Sequence, residues 1–125
     1  MPVSNKIDKE SRLVTSTAWG VITRQEIIDH QRRLAADTGF SPTYATIADF
    51  TRITKLEITA ADVQLFAANS VFAPNALRAI VVADSEAFGL ARMFEILRDA
   101  QGQEGIRVFQ KIEDAREWVQ LPQQT

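Results

Sequence analysis

The run Arg78-Ala79-Ile80-Val81-Val82-Ala83-Asp84 is the most apolar in the chain and constrains the fold more than any other stretch. Its apolar residues are continuous rather than alternating, which predicts a strand covered on both faces. Such a strand is interior and central, with neighbours on both sides and helices above and below. The surrounding sequence supplies those layers in order. Arg12–Ile22 is rich in β-branched residues and follows Ile7 and a polar turn at Asp8–Ser11, so it reads as the second arm of a hairpin. Tyr44–Phe50 and Ile106–Phe109 read as further short strands, with Thr51–Ile58 as the one long loop.

Helix signals separate these strands. Thr23-Arg24-Gln25-Glu26 is a capping box, followed by Ile27, Ile28, Gln31, Leu34 and Ala35 at helical spacing until Gly39. Thr59-Ala60-Ala61-Asp62 repeats the cap ahead of Val63, Phe66, Ala67, Ser70 and Val71, and that helix ends near Pro74-Asn75. Asp84 or Ser85 caps the longest helix, which buries Ala87, Leu90, Ala91, Phe94 and Leu97 and stops before Gly102. Glu113–Val119 forms the last one, docking Ala115, Trp118 and Val119, and the tail LPQQT frays. The expected fold is α/β, a mixed β-sheet flanked by helices in the order β-β-α-β-α-β-α-β-α. One domain spans residues 1–125, with a core from about residue 7 to residue 121.

Composition removes several function classes. A formal net charge of −2 gives no field that would gather nucleic acid or an anionic membrane surface. The absence of cysteine removes disulfides, thiolate metal sites and thiol chemistry. No segment approaches the roughly eighteen unbroken apolar residues of a membrane span, and residues 1–10 have no apolar core of a signal peptide, so the expected location is the cytoplasm. Neither a metal nor a cofactor is expected. His30 is the sole histidine, at the edge of a helical stripe and without a second ligand, and reads as a partly exposed surface residue. No nucleophile elbow, dinucleotide fingerprint or phosphate loop is present.

The chemistry-bearing candidates cluster at the predicted strand ends. Asp49 and Asp84 both terminate apolar runs, with Thr51 and Ser85 beside them, and together they would form the polar rim of a small-ligand crevice. The competing role for both acids is to satisfy turn or helix amides. Gly89 lies inside a predicted helix, at a cost of about 1 kcal/mol against alanine, a cost tolerated where another element or a ligand approaches closely. Arg92 is the candidate anion contact. Met93 and Phe94 are adjacent and face different directions; with Phe72 and Phe88 they would supply a cavity, a self-association surface implying a homodimer, or plain core.

The succession Trp19-Gly20-Val21-Ile22-Thr23, a strand ending in Asp49-Phe50-Thr51, Arg78-Ala79-Ile80-Val81, Gly89-Leu90-Ala91-Arg92-Met93-Phe94, and Val108-Phe109 with Ala115 and Trp118-Val119 resembles the SpoIIAA-like proteins, bacterial relatives of the STAS domains. The resemblance covers about Ile7 to Leu121 and implies a mixed sheet flanked by helices with a non-enzymatic role. In sporulation-type anti-sigma-factor antagonists an Asp-Ser-Ser-Gly motif carries a phosphorylated serine at a helix start. That motif falls here on Glu57-Ile58-Thr59-Ala60, which keeps an acid but neither serine nor the glycine. Thr59 is the position a phosphate would take, and N-cap is its other role. The expected function is a regulatory or ligand-binding module acting through a protein partner or a small apolar or anionic ligand. The alternative is a small enzyme using Asp49 and Asp84.

Overall fold

The computed structural model describes residues 2–68, 72–73, 76–102 and 105–120. Five strands form one sheet in the order β1 (Val3–Asp8), β2 (Leu13–Thr23), β3 (Ala45–Glu57), β4 (Arg78–Val81) and β5 (Ile106–Phe109). The β1–β2 pair is an antiparallel hairpin and the other three pairs are parallel. At the hairpin turn Asp8 Oδ1 accepts from the amides of Glu10 and Ser11, and Arg12 takes a left-handed φ of 56°. Between them run α1 (Arg24–Ala36), α2 (Ala60–Ala68) and α3 (Ser85–Ala100), and α4 (Ile112–Gln120) follows the last strand.

The strand order equals the sequence order, and this fixes where the helices lie. Each parallel strand is added to the same edge, so crossovers of one hand deliver α1, α2 and α3 to one face of the sheet. The packing agrees: Ile27 and Ile28 of α1, Val63 and Phe66 of α2, and Ala87, Ala91 and Phe94 of α3 share one core with Ile80 and Val82. On the other face α4 packs on β3, β4 and β5. There Ala115 joins Ile47, Ala79 and Val81 in a second core, with Trp118 tilted against Phe109 at 5.7 Å. Strand alternation sorts β3 and β4 between the two: Ile47, Ala79 and Val81 face α4, while Thr46, Ala48, Phe50 and Ile80 face the three helices.

The strand expected over residues 78–84 is present over Arg78–Val81, interior and fully buried at Ala79 and Val81, with Val82 buried just beyond it, though the middle strand of the sheet is β3. A second difference is larger. Residues 51–57, expected as a loop, extend β3, and β2 pairs with it along its whole length to Thr23↔Glu57. Two register shifts, at Thr17/Trp19 and Gly20/Val21, let the long strands follow one another, and Gly20 provides the required φ of 69°. Charged residues along 52–57 hid this strand from a pattern search, because only Ile53 and Leu56 touch the core while Trp19 and Val21, in register with Arg52 and Lys55, stay exposed. Ser70, Val71, the helix end near residues 74–75 and the tail lie outside the described residues.

The caps follow the sequence closely. Thr23 and Glu26 close both arms of a capping box, and Thr59 and Asp62 do the same for α2. Asp84 rather than Ser85 caps α3, accepting from Ala87 N at 3.0 Å. Within α3, Glu95 pairs with Arg92 and also accepts from the Val108 amide of the edge strand β5 at 3.0 Å.

Two substitutions in α3 test this account by chemical denaturation. Asp84→Ala removes the cap and is expected to lower stability by about 1 kcal/mol. Gly89→Ala is expected to raise it by about 0.5–1 kcal/mol, because a Cβ there meets nothing within 4 Å and helix propensity alone decides. A destabilised Gly89→Ala variant would show that the backbone needs glycine after all.

Candidate functional site

Three helices laid on one face of a twisted sheet leave a cavity of about 120 Å³. Its floor is Ala48, Phe50 and Ile80 from the strands, and its roof includes Ile27, Val63, Phe66, Leu90 and Phe94. Small side chains at Ala48 and Ala91 make the room, since larger residues at those wall positions would close it. An apolar void of about 150 Å³ holds benzene, so this one has space for about six carbon atoms.

Polar groups gather in a band across the same face of the sheet. Asn5 is in register with Ser16 across the hairpin, and Thr46 with Arg78 across β3 and β4. Ser16 is buried and donates to Asn5 Oδ1 at 2.6 Å, and His30 of α1 places Nε2 at 2.7 Å from the same oxygen. Because that oxygen can only accept, the imidazole proton is assigned to Nε2. Burial, and then the positive charges of Arg33 and Arg78, push the His30 pKa down to about 4, so the ring is neutral at neutral pH. His30 is therefore a partly buried cavity residue and not the surface residue its helical position suggests.

Arg78 is the only charged residue among the described lining residues. Its guanidinium stacks 4.1 Å from the centroid of Phe72 and 5.4 Å from that of Phe94. Among the described residues it has no ion pair and no side-chain hydrogen bond. Burial, with the nearby charge of Arg98, lowers its pKa to about 9, which leaves it cationic at neutral pH. Arg98 is itself 5% exposed and donates to the Ala67 carbonyl at 2.7 Å, while its Nε has no partner. Thr46 is 4% exposed, and its hydroxyl also lacks a hydrogen-bond partner. Two arginines and a hydroxyl thus meet without an acid.

Phe72 and Phe94, read from the sequence as cavity or core residues, both line this cavity, whereas none of Asp49, Thr51, Thr59, Asp84, Ser85, Gly89, Arg92 and Met93 does. Asp49 lies within β3 rather than at its end, on the α4 face by alternation, and its Oδ1 accepts from the Thr51 amide and hydroxyl at 2.9 and 2.7 Å. Asp84 follows Val81, the register partner of Asp49, by three residues, so both acids lie toward the same end of the sheet, level with or beyond the C-terminal end of β4. The strand order never reverses, however, so the sheet has no switch-point crevice there for them to line. Thr59 caps α2, Ser85 opens α3 as an exposed residue, Arg92 pairs with Glu95, and Met93 packs against the core. Gly89 is exposed, with no neighbouring element close to it, which corrects the expectation of a close approach. Among the described residues no group of three or more His, Asp or Glu side chains is placed to hold a metal ion.

The polar end of the cavity was visible only as an anomaly of pattern. Arg78 opens an otherwise two-faced apolar strand, and Arg98, near the cavity but outside its lining, stands four residues after Phe94 on the buried stripe of α3. A charge occupying a core register is the available signal.

His30 gives a pH dependence with a definite sign. Its folded pKa of about 4 lies below the ordinary 6.5, so the unfolded chain binds the proton more readily between those values. The stabilisation is complete above pH 6.5, falls as the pH drops toward 4 and levels off below. Unfolding free energies at pH 7 and pH 4.5 should differ by about 2 kcal/mol more in the wild type than in His30→Gln, which keeps a donor for Asn5 but cannot titrate. Equal slopes in the two proteins would show that the ring is solvated.

No family model matches the chain, and no curated protein does. Among solved structures it is similar to an uncharacterized protein from Shewanella loihica PV-4 of the DUF3478 family. The two share 17% identity and superpose with a TM-score of 0.58 over 94% of this chain and 93% of that one. That protein is described as having a SpoIIAA-like fold. The agreement in strand and helix layout over nearly the whole length gives this chain a SpoIIAA-like fold.

Proposed function

We propose that this protein is a non-enzymatic binding module that holds a small apolar ligand between its sheet and the helices α1, α2 and α3. The observation that carries the reading is the 120 Å³ cavity, walled almost wholly by aliphatic and aromatic side chains drawn from the sheet and all three helices. A void of that size forfeits packing energy in the free protein, and an occupant that fills it restores those contacts. The local bonding of the strand-end acids supports binding over catalysis: Asp49 is engaged by Thr51 and Asp84 by the α3 amide, the roles of a turn and a cap. No helix among the described residues is long and apolar enough to cross a membrane. A folded regulatory or carrier protein that works in the cytoplasm fits these features.

Thermal denaturation with a panel of small hydrocarbons, alcohols and acids tests the reading. At least one compound is expected to raise the Tm of the wild type by several degrees. Ala48→Leu, which places three extra carbons in the cavity, should abolish that rise while itself folding. A shift that persists in Ala48→Leu would place the ligand elsewhere. Turnover on a substrate panel that disappears in both Asp49→Asn and Asp84→Asn would favour the enzymatic alternative.

A further inference from the structure

The cavity has one cationic wall, and nothing among the described residues neutralises it. Its described lining residues include no aspartate or glutamate. The Arg78 guanidinium carbon lies over the Phe72 ring at 4.1 Å from its centroid, with the Phe94 ring at 5.4 Å, and among the described residues its N–H groups meet no acceptor, which leaves them to donate to a ligand. Thr46 is beside it in register and carries a buried hydroxyl without a partner. Arg98 adds a second positive charge nearby. A half-buried cation with no counter-charge loses part of its hydration without repayment, and an anion that enters offsets that loss.

We propose that the cavity binds a small apolar carboxylic acid as its carboxylate, with the Arg78 guanidinium and the Thr46 hydroxyl donating to its two oxygens. The proposal rests on the binding reading above and adds the chemical class of the ligand. A carboxylate is favoured over a phosphate on two counts. The planar fork of one guanidinium matches a carboxylate bidentately, whereas a phosphate dianion needs a larger set of donors to replace its hydration. The rest of the wall is hydrocarbon and takes a tail of about six carbons, a ring or a short chain. His30 is neutral and its Nε2 is occupied by Asn5, so it shapes the polar end without competing for the anion.

The test uses hexanoate and its uncharged counterpart hexan-1-ol, titrated calorimetrically into the full chain at neutral pH. Wild type is expected to bind hexanoate at least tenfold more tightly than hexan-1-ol. Arg78→Met should lose at least tenfold in hexanoate affinity while keeping hexan-1-ol, and Arg78→Lys should recover part of the preference. Equal affinities in the wild type, or a preference for the alcohol, overturn the carboxylate while leaving an apolar site. Binding of neither compound, nor of benzoate or benzyl alcohol as ring-shaped probes, overturns the cavity reading as well. If Arg78→Met does not fold, the wild-type preference and the Arg78→Lys result decide the matter. The preference surviving intact in a folded Arg78→Met would assign the anion to another group.

Discussion

The position of every side chain in the cavity follows from one topological constraint: the sheet grows strand by strand along a single edge. With parallel strands and crossovers of one hand, that order leaves α1, α2 and α3 no choice of face. Three helices must then share one surface of a five-stranded sheet, while among the described residues α4 alone covers the other. The crowded face acquires depth between its layers, and the thinly covered face stays a flat packing surface. A doubly wound sheet, with the order reversing midway, would instead place its crevice at the strand ends.

This constraint explains which parts of the site were legible beforehand. The caps at Thr23, Thr59 and Asp84 are local chemistry, written within four residues, and a sequence displays them directly. The buried strand at 78–81 was equally open to reading, because apolar continuity needs no knowledge of partners. Asp84 was recognisable as an acid beyond the end of an apolar strand, whereas Asp49 lies inside β3, and the crevice expected between them depended on strand order, a long-range property that local pattern does not carry. Residues 51–57 look like a loop because half of that strand lies beyond the core. The polar band of Ser16, Thr46 and Arg78 comes from three separate strands, and only the register across them puts its members together.

Arg78 and His30 show how the same burial serves opposite ends. For His30, desolvation selects the neutral ring, and a hydrogen bond to Asn5 completes it. For Arg78, desolvation lowers the pKa without removing the charge, because even at about 9 it lies above neutral pH. The histidine is satisfied within the fold, whereas the arginine relies on aromatic faces alone. An apolar chamber with one such cation discriminates by charge sign as well as by size.

The contact between Glu95 and the Val108 amide has a meaning beyond its own stability. β5 is the last strand on its side, and an open row of amides and carbonyls there invites a strand from another molecule. By reaching down from α3 to occupy one of those amides, and carrying a negative charge to the margin, Glu95 interrupts the template at its centre. An incoming strand would find that margin one donor short and guarded by a carboxylate.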